Sequence, residues 1–244
     1  FLPAVLECFH CSVWLKRINK VMFFIIALGA LLPTMHQSSM GSLMIVAGHK
    51  IHPLWQSYEM LPIYSLLTAF IMGFSVVIFE GSLTQSGLRG NGPNEKPLFT
   101  RLTYIIEAFL AIFLVLRFGE LAYNGKLGYI FQADYYARLF WVEIALLVLP
   151  LVILRVKDAR RSSKMLFIAG LGMIIGAGLW RMNYSLFAMN PGSGYDYFPT
   201  TSEILISVGF VAIEVCAYIL LIRLLPVLPS LTSSNKHSEA RGKA

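Results

Sequence analysis

A polar segment interrupts the first long apolar run of the chain: Pro33-Thr34-Met35-His36-Gln37-Ser38-Ser39-Met40-Gly41-Ser42. The run extends from Val21 to Val46, and about 20 mostly apolar residues are enough for a helix to cross a bilayer. Unpaired polar side chains are costly in hydrocarbon, so we expect the His-Gln-Ser-Ser cluster to face other helices, a cavity or a ligand. His36 is then either a packing residue or part of a functional site, and the segment alone leaves both interpretations open.

The composition is that of an integral membrane protein. Of the 244 residues, 57% are apolar and only 14% are charged, whereas soluble domains carry about 25% charged residues. The net charge of +7 does not indicate nucleic-acid binding, because the basic residues flank the apolar runs and therefore report membrane topology. The three cysteines form no disulfide framework. We expect no metal site, since Cys8 and Cys11 lack a second pair of zinc ligands.

Six apolar runs have the length of transmembrane helices rather than of barrel strands. They cover residues 21–46, 60–79, 102–123, 135–156, 165–189 and 202–227. The predicted fold class is therefore all-α, a polytopic transmembrane helix bundle with six complete spans. We divide the chain into residues 1–20, the end of an upstream span followed by a basic joint; 21–229, the transmembrane domain; and 230–244, a polar, disordered tail. The apolar start at Phe1 suggests a fragment that lacks an N-terminal part.

The basic residues predict the orientation of these spans. Most of the 20 Lys and Arg residues precede the first span, follow the second and fourth spans, or follow the sixth. The positive-inside rule places those segments in the cytoplasm. The C-terminus is therefore predicted to be cytoplasmic, and the loops after the first, third and fifth spans are predicted to face outward.

Ionisable residues recur at one depth in most of the predicted spans. Glu214 lies nearer the middle of the sixth span, and the residues in the outer halves of four other spans are His36, Arg117, Glu120, Glu143 and Arg181. Charged residues within a membrane face the interior of the helix bundle, so the shared depth predicts a polar chamber that opens outward. Structural ion pairs are the alternative explanation.

Two acids, one within this set and one outside it, have further interpretations. Glu120 lies three residues after Arg117, so the two side chains are predicted to pair on one helix face. Glu80 ends the second span at the cytoplasmic side. It is either an interfacial acid in contact with water or the entrance of a proton path toward the chamber.

The outward loops carry a candidate docking surface. Residues 190–199 are rich in aromatic side chains and nearly free of charge, which is the composition of protein interfaces. We expect Tyr195 and Tyr197, together with Trp55 of the first outward loop, to contact a partner subunit.

The histidines do not predict a haem site by themselves. A b-type haem held by two histidines needs two intramembrane imidazoles that face each other. Of the five histidines, only His36 lies well inside a span. A second ligand for His36 would have to come from a missing N-terminal part.

Five segments carry a resemblance to the membrane subunits of uptake NiFe hydrogenases of the hydrogenase-2 type. They are Val21 to Ser39, His52-Pro53-Leu54-Trp55, Phe79-Glu80-Gly81, Arg117-Phe118-Gly119-Glu120 and Trp180-Arg181-Met182-Asn183-Tyr184. These subunits are often labelled b-type cytochromes and are similar to the NrfD-like membrane subunits of polysulfide reductases. The resemblance extends from about Leu15 to Pro229 and implies a ten-span protein of which these are the last six spans.

The resemblance implies a subunit that reduces a membrane quinone in the bacterial inner membrane. Hydrogenase large and small subunits would split hydrogen, and a periplasmic, ferredoxin-like iron–sulfur subunit would deliver electrons for reducing menaquinone or ubiquinone. His36 matches the quinone-site histidine of the family and Glu80 its proton-path glutamate. From the residues themselves we add Gln37, Arg117, Arg181 and Tyr184 to the quinone site, and Glu143 and Glu214 to the proton path.

Three other functions compete with quinone reduction. A transporter or proton channel without a redox role would predict inverted repeats, and the first and last three spans show no obvious match. A passive anchor would not need charges at one level in five spans. A haem b electron conduit would be distinguished by an absorption spectrum.

Overall fold

The computed structural model describes residues 12–87, 96–156, 162–192 and 197–224. Within them the chain forms long helices joined by short connections, with no β-strand and a single isolated bridge between Ile51 and Met189. The long helices are α1 (Ser12–Val46), α2 (Leu61–Gly87), α3 (Lys96–Tyr123), α4 (Tyr135–Arg155), α5 (Ser163–Met182) and α6 (Thr201–Leu224). Two short 3-10 helices lie at Gly48–Lys50 and Leu127–Phe131, and a π-helical turn at Asn183–Phe187 continues α5.

Each predicted span overlaps a helix, but several boundaries differ. α1 begins at Ser12, so part of the predicted basic joint is helical rather than a linker. α2 continues beyond Phe79 to Gly87. Helices extend past the hydrocarbon where polar residues still satisfy the helical backbone, and hydropathy alone does not mark such ends.

Five of these helices are long and apolar enough to cross a membrane. The qualifying segments are Lys20–Val46, Leu61–Thr84, Tyr135–Arg155, Ser163–Phe187 and Thr201–Leu221. α3 has 28 residues and is absent from this set. It carries five charged residues: Lys96, Arg101, Glu107, Arg117 and Glu120. Length and composition thus support five spans.

The described residues fall into two compact units. Residues 12–31, 84–87 and 199–224 form the first unit, in which the hydroxyls of Thr84 and Tyr218 are 3.2 Å apart. Residues 32–83, 96–156, 162–192 and 197–198 form the second. The second unit contains the buried core, which includes Tyr64, Phe113, Phe140 and Trp180.

Glycines of α5 allow close helix packing inside the second unit. A Cβ atom at Gly172 would lie 2.8 Å from the Pro150 ring, and one at Gly176 would lie 3.0 Å from the Leu146 backbone, both on α4. At Gly170 it would lie 3.2 Å from the Ser75 carbonyl of α2. Small residues at such crossings let helix backbones approach each other in membranes, so α5 packs closely against both neighbours.

The connection between α1 and α2 folds against the end of α5. The amide of His52 donates to the Ala188 carbonyl at 2.8 Å, and the amide of Asn190 donates to the Lys50 carbonyl at 2.7 Å. These bonds satisfy backbone groups that would otherwise lose water on burial. They also fix the connection so that Trp55 is turned inward, where its side chain is buried.

Candidate functional site

A fully buried carboxylate is the centre of the candidate site. Glu143 of α4 has no solvent exposure and faces Arg117 of α3, with Arg117 Nη2 3.2 Å from Glu143 Oε1. Its other oxygen accepts hydrogen bonds from Trp55 Nε1 at 2.8 Å and from Asn183 Nδ2 at 2.7 Å. Three helical segments and the α1–α2 connection therefore meet at one charged group.

Aromatic rings enclose the cation of this pair. The Arg117 guanidinium carbon lies 5.3 Å from the ring centre of Phe140, 5.8 Å from that of Phe113 and 6.0 Å from that of Trp55. Ring faces attract cations within about 6 Å. The rings thus replace part of the hydration that Arg117 loses on burial.

Several polar atoms of this cluster have no hydrogen-bond partner among the described residues. They are Arg117 Nε, Asn183 Oδ1, and the facing Arg117 Nη2 and Glu143 Oε1, whose 3.2 Å contact is an ion pair without hydrogen-bond geometry. Donors and acceptors both remain, and buried groups of this kind commonly bind water. The cluster therefore has hydrogen-bonding capacity left for a small polar molecule such as water.

Glu120 forms a second cluster and does not pair with Arg117 as the sequence predicted. Its two oxygens accept hydrogen bonds from Ser57 Oγ and from Tyr64 OH, each at 2.7 Å. Arg117 instead pairs with Glu143. The predicted pair was wrong because a tertiary partner in the protein interior outweighs a neighbour along one helix, where such pairs contribute about 0.5 kcal/mol or less.

Tyr184 belongs to the aromatic core rather than to an open surface. Its ring centre lies 4.6 Å from that of Trp180, which in turn contacts Tyr64 and Phe113 edge to face. Tyr184 is only 4% exposed. It therefore supports the cluster around Glu143 by packing.

Arg181 lies apart from these clusters and faces α2. Its guanidinium donates to the Ser65 carbonyl at 3.4 Å and approaches Met72 Sδ at 3.3 Å. The π-helical turn follows directly, with Asn183 as its first residue. A π-turn adds a residue to a helical turn and often occurs at functional sites. Although they are only two residues apart, Arg181 contacts Ser65 of α2 and Asn183 contacts Glu143 of α4.

The remaining predicted residues occupy more open positions. His36 on α1 is exposed and Gln37 is half-buried, so among the described residues the polar segment is not covered as the sequence led us to expect. Glu80 on α2 is half-buried, and Glu214 on α6 is exposed. Near the end of the polar segment, a Cβ atom at Gly41 would lie 2.7 Å from Pro62 and 2.8 Å from Ser65 Oγ. α1 therefore touches the same turn of α2 as Arg181.

The docking residues have three different outcomes. Trp55 is 1% exposed and donates to Glu143, so its indole is not available to a partner. The buried carboxylate attracts the indole N–H inward, and sequence composition does not reveal this. Tyr197 is half-buried. Tyr195 lies outside the described residues.

The structure adds residues that the sequence analysis did not single out. Ser57, Tyr64 and Ser65 are buried polar residues on or beside α2. Tyr64 and Ser65 are polar residues within an apolar run, and this feature of the sequence could have marked them as buried polar groups. Among the described residues, no group of three or more His, Cys, Asp or Glu side chains is placed to hold a metal ion.

His52 shows how burial acts on the connection before α2. Its ring stacks on Tyr136 with centres 4.2 Å apart, and its Nδ1 accepts from the Leu54 amide at 3.4 Å. Burial lowers the pKa of His52, and the nearby Asp134 opposes that effect. The imidazole is thus held neutral as a packing group.

Comparisons with known proteins give two relatives. The chain is 64% identical over 244 residues to the "Probable Ni/Fe-hydrogenase 2 b-type cytochrome subunit" of Escherichia coli K12, an alignment that covers the whole chain and 62% of that protein. It is 31% identical over 245 residues to a protein of Nitratidesulfovibrio vulgaris Hildenborough, covering 93% of the chain and 60% of the relative. The chain thus spans about three fifths of the length of either relative. No family model and no solved structure matches.

Proposed function

We propose that this chain is the membrane part of a NiFe hydrogenase of the hydrogenase-2 type and passes electrons from hydrogen to a membrane quinone. The observation that carries the proposal is an alignment that covers the whole chain and is 64% identical to a hydrogenase 2 subunit. A charged cluster buried between apolar helices is consistent with this role, because ionisable groups inside a membrane generally serve function.

The proposed assembly extends the family resemblance and the charge pattern of the sequence. The chain would provide six spans of a ten-span NrfD-like subunit in the bacterial inner membrane, with its C-terminus in the cytoplasm. Its outward loops, including Tyr195 and Tyr197, would contact a periplasmic ferredoxin-like iron–sulfur subunit, which links it to the hydrogenase large and small subunits.

Menaquinone or ubiquinone is the proposed substrate, and its reduction to quinol takes two electrons and two protons. We place the head group beside α1 and Arg181, because Gly41 and Arg181 both meet α2 at Ser65. His36 lies five residues before Gly41, about 7.5 Å along the helix. His36 and Gln37 would hydrogen-bond the quinone carbonyls, and Arg181 would stabilise negative charge on the ring.

Arg117 and Tyr184 take a supporting role in this proposal. Arg117 is enclosed by aromatic rings and paired with Glu143, and Tyr184 is packed on Trp180. Neither side chain presents an open face to a substrate. They would hold the helices that carry the quinone-binding residues.

A haem b group, which the relative's name implies for that protein, does not fit the described residues. His36 is the single histidine of the described part of the chain that lies in a candidate span. His49 is exposed in the α1–α2 connection, and His52 is stacked on Tyr136. No two of these imidazoles form a facing axial pair. In this proposal the electrons therefore pass to quinone.

Quinone reduction by the complete complex tests the proposal. Hydrogen-dependent reduction of a quinone analogue in proteoliposomes is expected to disappear when this subunit is deleted. Hydrogen-dependent reduction of a soluble dye by the remaining subunits is expected to persist. Quinone reduction at an unchanged rate without the subunit would overturn the proposal. An absorption spectrum of the complete complex would reveal any haem.

Proton coupling through Glu80, Glu143 and Glu214 is a further part of the proposal. Glu80→Gln keeps the shape of the side chain and removes its titrating proton, so we expect slower proton movement with normal assembly. The measurement is proton uptake by vesicles alongside quinone reduction. Glu107→Gln is the control, because Glu107 pairs with Arg155. If proton uptake and quinone reduction are as fast in Glu80→Gln as in the unmodified protein, Glu80 is only an interfacial acid.

A further inference from the structure

A groove follows one face of α3. A hollow of about 530 Å³ lies near the C-terminal end of the helix, and a second of about 300 Å³ lies nearer its start. Six of the α3 residues that line them recur every three or four positions and therefore share one helix face: Tyr104, Ala108, Ile112, Val115, Gly119 and Tyr123. The two hollows are successive parts of one surface.

The two parts of the groove differ in polarity. The smaller hollow is lined by apolar side chains and the edge of Tyr104. The larger hollow begins with Val115 and Leu116 and ends among Glu59, Glu120 and the rings of Tyr58 and Tyr123. A surface that is apolar along a helix and polar at its end matches an amphiphilic molecule rather than a uniformly apolar partner.

The polar end carries negative charge that no described salt bridge neutralises. Glu120 is half-buried, and its nearest cation along α3, Arg117, is paired with Glu143. Lys126 donates to Gln56 at 2.9 Å instead; burial lowers the pKa of Lys126, and Glu120 opposes that effect. Each oxygen of Glu120 accepts one hydrogen bond and can accept another.

We propose that this groove binds a phospholipid whose head group carries a primary ammonium. The ammonium would donate to Glu120 and Glu59 and lie against the ring of Tyr123, because aromatic rings attract cations. The Tyr58 ring already faces a cation, since Lys126 Nζ lies 5.7 Å from its centre. The acyl chains would follow the apolar face of α3 past Val115. Charge complementarity selects this occupant, because an anionic head group would be repelled by the two carboxylates. The proposal is independent of quinone reduction.

Lipid retention by the complete complex tests the proposal. The complex is equilibrated in nanodiscs that contain phosphatidylethanolamine, phosphatidylcholine and phosphatidylglycerol in equal amounts, and native mass spectrometry measures the lipids that remain bound. We expect phosphatidylethanolamine to be enriched about fivefold, the effect of one charge contact at a partly exposed site. Glu120→Gln should abolish the enrichment, whereas Glu107→Gln, on the same helix, should preserve it.

A variant that blocks the groove distinguishes a loss of lipid binding from a loss of protein stability caused by substituting Glu120. A Cβ atom at Gly119 would meet no atom within 4 Å, so Gly119→Leu can fold while its side chain fills the groove. We expect normal membrane insertion and loss of the enriched lipid. Gly73→Leu is the matched control, because Gly73 on α2 is equally unobstructed.

Other outcomes of these measurements would overturn the proposal. Equal retention of the three lipids would show that the groove is an apolar surface that does not recognise the head group. Enrichment that survives both Glu120→Gln and Gly119→Leu would place the lipid elsewhere. A cross-link from position 119 to another polypeptide segment, with no lipid retained, would identify the groove as a protein contact.

Discussion

Arg117→Met is expected to lower the free energy of unfolding by about 3–5 kcal/mol, because it leaves the buried Glu143 carboxylate without its cation. Arg117 and Glu143 have side-chain exposures of 4% and 0%, so bulk solvent would not replace the lost cation. Two N–H donors, from Trp55 and Asn183, would remain on Glu143. The measurements are the amount of inserted protein and its thermal unfolding in detergent.

A second substitution distinguishes a lost ion pair from lost packing. Glu143→Gln removes the negative charge and keeps an oxygen that can accept from Trp55 and Asn183. Arg117→Met combined with Glu143→Gln should therefore recover most of the lost stability. Arg155→Met is the matched control and should cost less than about 1 kcal/mol, because the side chain of Arg155 is 71% exposed in its pair with Glu107. A double variant as unstable as Arg117→Met would show that the charge is not the cause.

The helices were predictable from the sequence because hydrocarbon imposes one requirement on all of them. Backbone groups must pair within each segment, and an apolar run of sufficient length therefore forms a helix. The α1 and α4 runs show this directly, since residues 21–46 and 135–156 coincide with Lys20–Val46 and Tyr135–Arg155. α3 was harder to identify as a span, because it carries several charged residues and therefore has a less apolar composition. Some of these charged residues make tertiary contacts.

The contacts of the charged residues were not predictable in the same way. The sequence shows that Arg117 is three residues from Glu120, but it does not show that Glu143, 26 residues away, lies closer in space. Trp55 follows the same rule: its position in a loop favours the surface, and a buried carboxylate holds it inside. A sequence shows where along a span a charged residue lies, whereas the direction of its side chain around the helix depends on the neighbouring helices.

Hydrogen-dependent quinone reduction is expected to fall about 100-fold in His36→Ala, the usual effect of losing one positioned acid–base group. The proposed quinone carbonyl would lose a hydrogen-bond donor, and the quinol would lose a nearby proton donor. Hydrogen oxidation with a soluble dye should be unchanged, because that reaction bypasses the membrane subunit.

The exposure of His36 strengthens this test. Since His36 packs against little in the described part of the chain, alanine there should create no cavity and should leave insertion in the membrane intact. His49→Ala removes another exposed histidine, outside the spans, and should retain the normal rate. Rates are compared per mole of inserted subunit in the complete complex. A normal specific rate at reduced abundance would make His36 a packing residue and remove it from the quinone site.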